Sequence, residues 1–189
     1  MTPIRLDEDI VEPVSLAEMR LHLRLDPDDG GAEDGLVAAL IAAARASVEA
    51  ETRRVLAPGR YRVMLTAWPP DGRVPLPLSP LVALARAGTV DGDGTVTPLA
   101  PGLVRLGDDP VEAPGLVVSA AVPELSRRVA LIEVEAGHGG AGPPVPAPLT
   151  QAIRLLVAHG FERRGDEAGQ EPRPPAVAAL IAPWRRLRL

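Results

Sequence analysis

The sequence lacks both cysteine and lysine in its 189 residues. Without cysteine there is no disulfide framework, no zinc ribbon and no thiol nucleophile. Without lysine there is no P-loop lysine, no Schiff base and no lysine general base. All 20 basic residues are arginine, which, with abundant Ala, Pro and Gly, marks a compositional bias of the genome and not a chemistry. Aromatic residues number four, Tyr61, Trp68, Phe161 and Trp184, too few for the stacking platforms that grip single-stranded nucleic acid. The only histidines are His22, His138 and His159, which leaves little for a histidine metal site. The longest apolar run, Leu36 to Ala44, has nine residues, against ~20 for a membrane span. The first twelve residues are acidic and lack the apolar core of a signal peptide. A soluble chain made in the cytoplasm, with no membrane partner, is expected. The formal charge of −5 disfavours nonspecific nucleic-acid binding, which usually needs a basic surface.

What is present is ordinary globular composition, 46% hydrophobic and 24% charged, in a length that suits one domain or one domain with an elaboration. Proline and glycine are unevenly spread. Residues 57–148 hold 15 Pro and 12 Gly, whereas residues 14–56 hold one Pro and three Gly. The expected division is a helical N-terminal part (1–56), a β-rich Pro/Gly-rich insertion (57–148), and C-terminal helices with a tail (149–189) that fold together with the first part. The fold class is α+β: a helical bundle from the N- and C-terminal segments with a small antiparallel β region inserted.

A capping box, Ser15-Leu16-Ala17-Glu18, starts the first helix, with Val14 and Met19 at the staple positions. Leu16, Met19 and Leu23 make its apolar face, and Pro27 with Gly30-Gly31 ends it. A second helix is predicted from about Glu33 to Leu56, with Asp34 as N-cap. Its stripe is Leu36, Val37, Leu40, Ile41, Ala44, Val48 and Val55, with Arg45, Glu49, Glu51, Arg53 and Arg54 mainly off it. Tyr61, Val63 and Leu65 alternate as a strand. Segments 82–90, 103–106, 116–122 and 129–135 complete a predicted meander, with Asp91-Gly92-Asp93-Gly94 as a hairpin turn. Pro75, Pro77 and Pro80 place 74–81 at an edge. Helix returns at Leu149 through Phe161, a polar linker spans 165–174, and Pro175 opens a short last helix ended by Pro183.

No catalytic, cofactor or metal constellation stands out. Gly137-His138-Gly139-Gly140-Ala141-Gly142 matches G-x-G-x-x-G, but a Pro-rich run follows where a dinucleotide site needs a helix, so it reads as a loop. Asp26, Asp28, Asp29, Glu33 and Asp34 cluster, but an EF-hand reading puts Gly30 and Val37 where oxygen ligands belong, so a solvated loop with helix caps is expected. His159 stands beside Glu162 and Arg163 with no nucleophile motif near it. The C-terminal Trp184-Arg185-Arg186-Leu187-Arg188-Leu189 alternates arginines with apolar anchors. It is a candidate docking peptide, since Trp and Arg dominate interface hot spots, or else a tail that covers its own domain.

The order of several segments resembles a known family. Pro13 to Glu18, then Leu21 to Asp26, then Asp34-Gly35-Leu36 leading into Leu40 to Arg45 and Val48-Glu49, is similar to the opening of tailed-phage head–tail connector (adaptor) proteins, including those of gene transfer agents. Trp68-Pro69, then Val74 to Leu81, resembles that family's Pro-rich strand region. Glu135-Ala136-Gly137, Val145-Pro146, Ala152 to His159 and Phe161 to Arg164 resemble its closing helix, and Val177 to Arg185 its ending. The resemblance covers roughly residues 13–185, and Asp91–Ser126 matches only in its turns.

The resemblance implies a structural protein and no enzyme. It implies a homo-oligomeric ring, commonly of twelve subunits, between the portal protein and the next neck component (the stopper), with a channel through which DNA passes without specific binding. The location implied is the neck of a virion or phage-like particle assembled in the bacterial cytoplasm. On this reading Trp184, Arg185, Arg186, Leu187, Arg188 and Leu189 would dock on the portal, and no cofactor is expected. The alternatives are another neck component, such as a stopper or tail-completion protein, and, more remotely, a DNA-binding regulator or an unrecognised small enzyme.

Overall fold

Tyr61, Val63 and Leu65 do alternate with Arg62 and Met64 along a strand. The computed structural model, which describes residues 1–163 and 173–185, carries Val63 fully buried and Met64 46% exposed. The fold is α+β and the described chain forms two units, Met1–Ile10 with Ala57–Pro144, and Val11–Leu56 with the chain from Val145 onward.

The first unit is all β. Its elements are β1 (Ile4–Arg5), β2 (Gly59–Leu65), β3 (Arg73–Pro75), β4 (Leu81–Val90), β5 (Val96–Pro98), β6 (Val104–Leu106), β7 (Gly115–Val118) and β8 (Val129–Ala136). They make two antiparallel sheets, β1-β2-β8-β4-β5 and β3-β7-β6. This departs from a meander. The last strand, β8, lies between β2 and β4, because it is the most continuously apolar of the strands and a central place pairs both its edges. Val129-Ala130-Leu131-Ile132 and Val134 have one or the other face covered, and even Glu133 is only 3% exposed. The Pro-flanked β3 sits at the edge of the small sheet, where a missing N–H costs least. The Asp91–Gly94 turn joins β4 to β5, with Gly94 donating to the Asp91 carbonyl.

The first ten residues were expected with the helices but assort with the β unit. Ile4–Arg5 pairs with Tyr61–Arg62. The Arg5 guanidinium holds the pairing, donating to the carbonyls of Ala57 at 3.3 Å and Pro58 at 2.7 Å and to the Tyr61 hydroxyl at 3.1 Å. A two-residue strand leaves no periodic signal to read.

The second unit contains α1 (Leu16–Leu23), α2 (Asp34–Thr52), α3 (Ala147–Glu162), α4 (Pro175–Ile181) and a 3-10 turn, Ala182–Trp184. The capping box is formed: Ser15 Oγ accepts from Glu18 N at 3.2 Å and Glu18 Oε2 accepts from Ser15 N at 2.9 Å. Val14 and Met19 are fully buried. The core joins Val37, Ile41, Ala44 and Val48 of α2 to Leu149, Ala152, Ile153 and Val157 of α3 and to Val177 and Ile181 of α4. Each fully buried Val or Ile contributes ~1.5–3 kcal/mol over its exposed state. Leu40 is half-buried beside Gly160, where an added Cβ would come 2.9 Å from Leu40 Cδ2, so the glycine lets the two helices close.

Four details correct the sequence reading. α1 ends at Leu23, before Pro27, because Arg24 turns left-handed (φ 55°). α2 ends at Thr52, not near Leu56, because Arg53 does the same (φ 56°) and returns its N–H to the Glu49 carbonyl at 2.7 Å. Asp34 opens α2 as its first residue, while Glu33 occupies the cap position. Leu36, placed on the stripe, is 37% exposed, while Arg45 and Arg54, placed off it, are buried at 9% and 6%.

Candidate functional site

The end of α2 explains why those arginines go inside. Arg45 donates to Glu12 at 2.8 Å and to Glu49 at 2.7 Å, so its charge is matched within the unit. Burial opposes the charge on Arg45, but its hydrogen bond to Glu12 and the nearby Glu49 charge outweigh it and raise its pKa. Glu49 also accepts the Leu56 N–H at 2.7 Å, tying down the chain as it leaves the helix. Thr52 bonds back to the Val48 carbonyl at 2.7 Å and accepts from Arg54 N at 3.3 Å, so the turn at Arg53 is held from both sides.

This turn receives the start of the C-terminal tail. Arg54 Nε donates to the Trp184 carbonyl at 3.1 Å, and its guanidinium lies 5.6 Å from the Trp184 ring centroid, a cation–π contact. Arg185 pairs with Glu51 at 2.7 Å, and Arg173 pairs with the other oxygen of the same carboxylate. One carboxylate therefore serves two guanidiniums. Burial, and then repulsion from Arg185, lowers the pKa of Arg173. Arg53, exposed, makes no ion pair among the described residues. The site is a basic end of the helical unit, built from the turn after α2 and the two flanks of α4.

Of the candidate docking residues, Trp184 is half-buried against the helical core and Arg185 is exposed on Glu51. Arg186, Leu187, Arg188 and Leu189 lie outside the described residues, as does residue 164–172, most of the predicted linker. Sequence reasoning missed Arg54 and Glu51 as the seat of the tail. Their separation of about 130 residues from Trp184 and Arg185 leaves no local pattern.

The other candidates resolve differently. Three amides of the glycine loop are spent within the β unit: Gly137 N on the Pro80 carbonyl at 2.9 Å, Gly139 N on that of Pro143 at 2.8 Å, and Gly142 N on that of Gly139 at 2.9 Å. An added Cβ would meet the Pro58 Cα at 2.7 Å from Gly137 (φ 122°), and the Gly137 carbonyl oxygen at 2.2 Å from Gly142. Close packing requires a glycine at 137 and at 142. The acidic cluster is organised by a cation: Arg20 bridges Asp29 at 2.6 Å and Asp34, and donates to the Asp26 carbonyl at 2.7 Å. Hydrogen bonds from Arg20 and then from the Gly31 amide hold the Asp29 pKa below the ordinary carboxylate range. No group of three acidic or histidine side chains suited to a metal occurs among the described residues. His159 is half-buried on α3. No helix among the described residues is long and apolar enough to cross a membrane.

No protein-family model matches the chain. No curated protein matches it either. Solved structures do. The whole chain superposes, with a TM-score of 0.84 and 33% identity over 97% of the other chain, on a component of the "neck of empty GTA particle computed with C6 symmetry". It superposes at 0.80 and 32% identity on a component of the "virion of native gene transfer agent (GTA) particle". A component of the "neck of native GTA particle computed with C12 symmetry" gives 0.77 and 30%. In each case 100% of this chain and 97% of the other are covered. The class is therefore that of structural proteins of a phage-like particle's neck. Within it, the chain belongs to the head–tail connector (adaptor) family that gene transfer agents share with tailed phages.

Proposed function

We propose that the protein is the head–tail adaptor of a gene transfer agent or phage, a ring seated between the portal protein and the next neck component, with a central channel for DNA. The observation that carries this reading is the whole-chain match to neck components at 30–33% identity. Identity at that level over the full length supports a shared role beside the shared fold. The symmetries under which the related necks were computed, C6 and C12, support a ring of about twelve copies.

In this proposal the chain performs no chemistry. It supplies a rigid spacer whose two surfaces are read by partners. The C-terminal segment, Trp184, Arg185, Arg186, Leu187, Arg188 and Leu189, docks on the portal. Its first two residues serve as the anchor, through Arg54 and Glu51, and its last four provide the contact. The charge of −5 suits DNA that passes without being held.

Imaging of purified particles tests the reading. A ring of this protein directly beneath the portal is expected. Density for it one level lower would make it the stopper or a tail-completion protein, and its absence from the neck would end the proposal.

A further inference from the structure

The helical unit is electrically polar along α2. This 19-residue helix is about 28 Å long at 1.5 Å per residue. Before its first turn lie Asp26, Asp28, Asp29 and Glu33, with Asp34 as its first residue. Of these, Asp26, Asp28, Asp29 and Asp34 outnumber Arg20, which is spent on Asp29 and Asp34, and Arg24. Past its last turn lie Arg53, Arg54, Arg173 and Arg185, the last two both bonded to Glu51. The helix dipole favours this distribution of signs for charges in the terminal turns. It does not account for Arg173 and Arg185, which reach the basic end from more than 120 residues away in sequence. Tertiary structure has concentrated them there.

Each end also carries apolar surface. Leu21, in the last turn of α1, is 80% exposed and Leu36, in the first turn of α2, is 37% exposed. Trp184 is half-buried at the basic end, with Arg54 over its ring.

Resting on the ring proposed above, we infer that neighbouring copies meet head to tail through these two ends: the basic end of one helical unit, led by Arg53, receives the acidic end of the next, led by Asp28. The occupant is a second copy of this chain, because the two ends complement each other in sign: Asp26, Asp28, Asp29 and Asp34 outnumber Arg20 and Arg24 at one, and Arg53, Arg173 and Arg185 outnumber Glu51 at the other. A closed ring uses a heterologous contact, in which every copy shows two different surfaces that fit each other. Opposite potentials also fix orientation, since a head-to-head contact would set like charges together. Both lead residues are exposed and neither has an ion-pair partner among the described residues.

The chain's lack of cysteine makes the test direct. Asp28→Cys and Arg53→Cys are introduced together, particles are purified and oxidised, and the protein is run on a non-reducing gel. A ladder of cross-linked multimers is expected from the double variant and none from either single variant. Tailed particles that contain the double variant but give no ladder, or a cross-link only to a different particle protein, would overturn the inference and leave the adaptor reading intact. If the cysteine variant does not enter particles, charge exchange decides. Arg53→Glu alone should cut the yield of tailed particles about tenfold or more, and Asp28→Arg added to it should restore most of that loss. A normal yield from Arg53→Glu, or no restoration by the pair, refutes the contact. Loss of the adaptor reading would look different: the wild-type protein would be missing from beneath the portal.

Discussion

The Arg54 guanidinium covers the Trp184 ring at 5.6 Å and donates to the Trp184 carbonyl at 3.1 Å, so the tail begins as part of the helical unit. A cut that removes 183–189 would take away a packed aromatic ring and an ion pair. A cut after Arg185 would remove neither. We expect deletion of 186–189 to leave the thermal midpoint unchanged while particles lose tails or leak DNA. Trp184→Ala should lower stability by about 2 kcal/mol, from half-burial and the cation–π contact. Thermal melts of the purified protein, beside particle counts, check both. Normal tailed particles from the four-residue deletion would show that the end of the chain docks nothing.

Arg45 offers a sharper stability test. It is 9% exposed and bonded to both Glu12 and Glu49. Arg45→Met keeps most of the volume but takes the guanidinium partner from Glu12 and Glu49, two carboxylates with limited access to water. A loss of about 3 kcal/mol is expected, since removing one member of a buried charge group leaves the opposite charge uncompensated. Adding Glu12→Gln should recover part of it. Urea unfolding of the single and double variants measures the coupling.

These two arginines also show where the sequence was legible and where it was not. The capping box, the strand alternation at Tyr61–Leu65 and the apolar stripes of α2 and α3 are local patterns, and the structure contains them. Burial of Arg45 depends on Glu12, 33 residues away, and burial of Arg54 on Trp184, 130 residues away. Neither spacing has a period. Helix ends shifted for a related reason: Arg24 and Arg53 take the left-handed turn that a glycine would have announced. Strand order was hidden because pairing of β8 with both β2 and β4 is settled by which strand can bury two faces, a comparison among distant segments. The basic end was half visible, since Trp184 and Arg185 stood out in the tail but Glu51 and Arg173 did not.

The glycine loop gives a graded prediction. Gly142→Ala places a Cβ 2.2 Å from the Gly137 carbonyl oxygen, and Gly137→Ala combines φ 122° with a 2.7 Å approach to Pro58 Cα. Each should cost about 2–3 kcal/mol, Gly142→Ala through overpacking and Gly137→Ala through overpacking and backbone strain together. Gly139→Ala meets nothing nearer than 3.8 Å and should cost only the ~1–2 kcal/mol of a left-handed non-glycine residue. Equal losses at all three positions would contradict the packing account.

Free DNA should be bound weakly. The chain has a net charge of −5, and many of its arginines are committed to carboxylates: Arg20, Arg45, Arg60, Arg62, Arg105, Arg154, Arg173 and Arg185 all form ion pairs. We expect a Kd for duplex DNA of ~100 μM or weaker at physiological salt, with no sequence preference. A nanomolar, sequence-selective shift in a gel assay would contradict the adaptor reading and favour a regulator.

Acid should loosen the β unit through Glu133. Its carboxylate, 3% exposed, accepts from Arg60 at 2.6 Å and from Arg62 at 2.7 Å. Burial is the largest single influence and pushes its pKa up, but the hydrogen bond from Arg62 and the charges of Arg60 and Arg62 together outweigh it, so the net shift is downward. The sign follows from linkage. A carboxyl whose folded pKa lies below its unfolded value of about 4.3 contributes stability that is complete above that value and disappears as pH falls through the folded pKa. At neutral pH the contribution is whole, and it declines once pH drops below the unfolded value, vanishing only below the folded pKa. Glu133→Gln cannot titrate, so it should be less stable than wild type at pH 7, with the gap narrowing as pH falls below the ordinary carboxylate range. The cross-strand arginines set a control: Arg62→Gln should reduce the wild type's pH dependence without abolishing it, because Arg60 remains. Urea midpoints from pH 7 down to pH 3 read all three proteins. A constant gap between wild type and Glu133→Gln across that range would mean that the carboxylate's charge contributes nothing and only its shape matters.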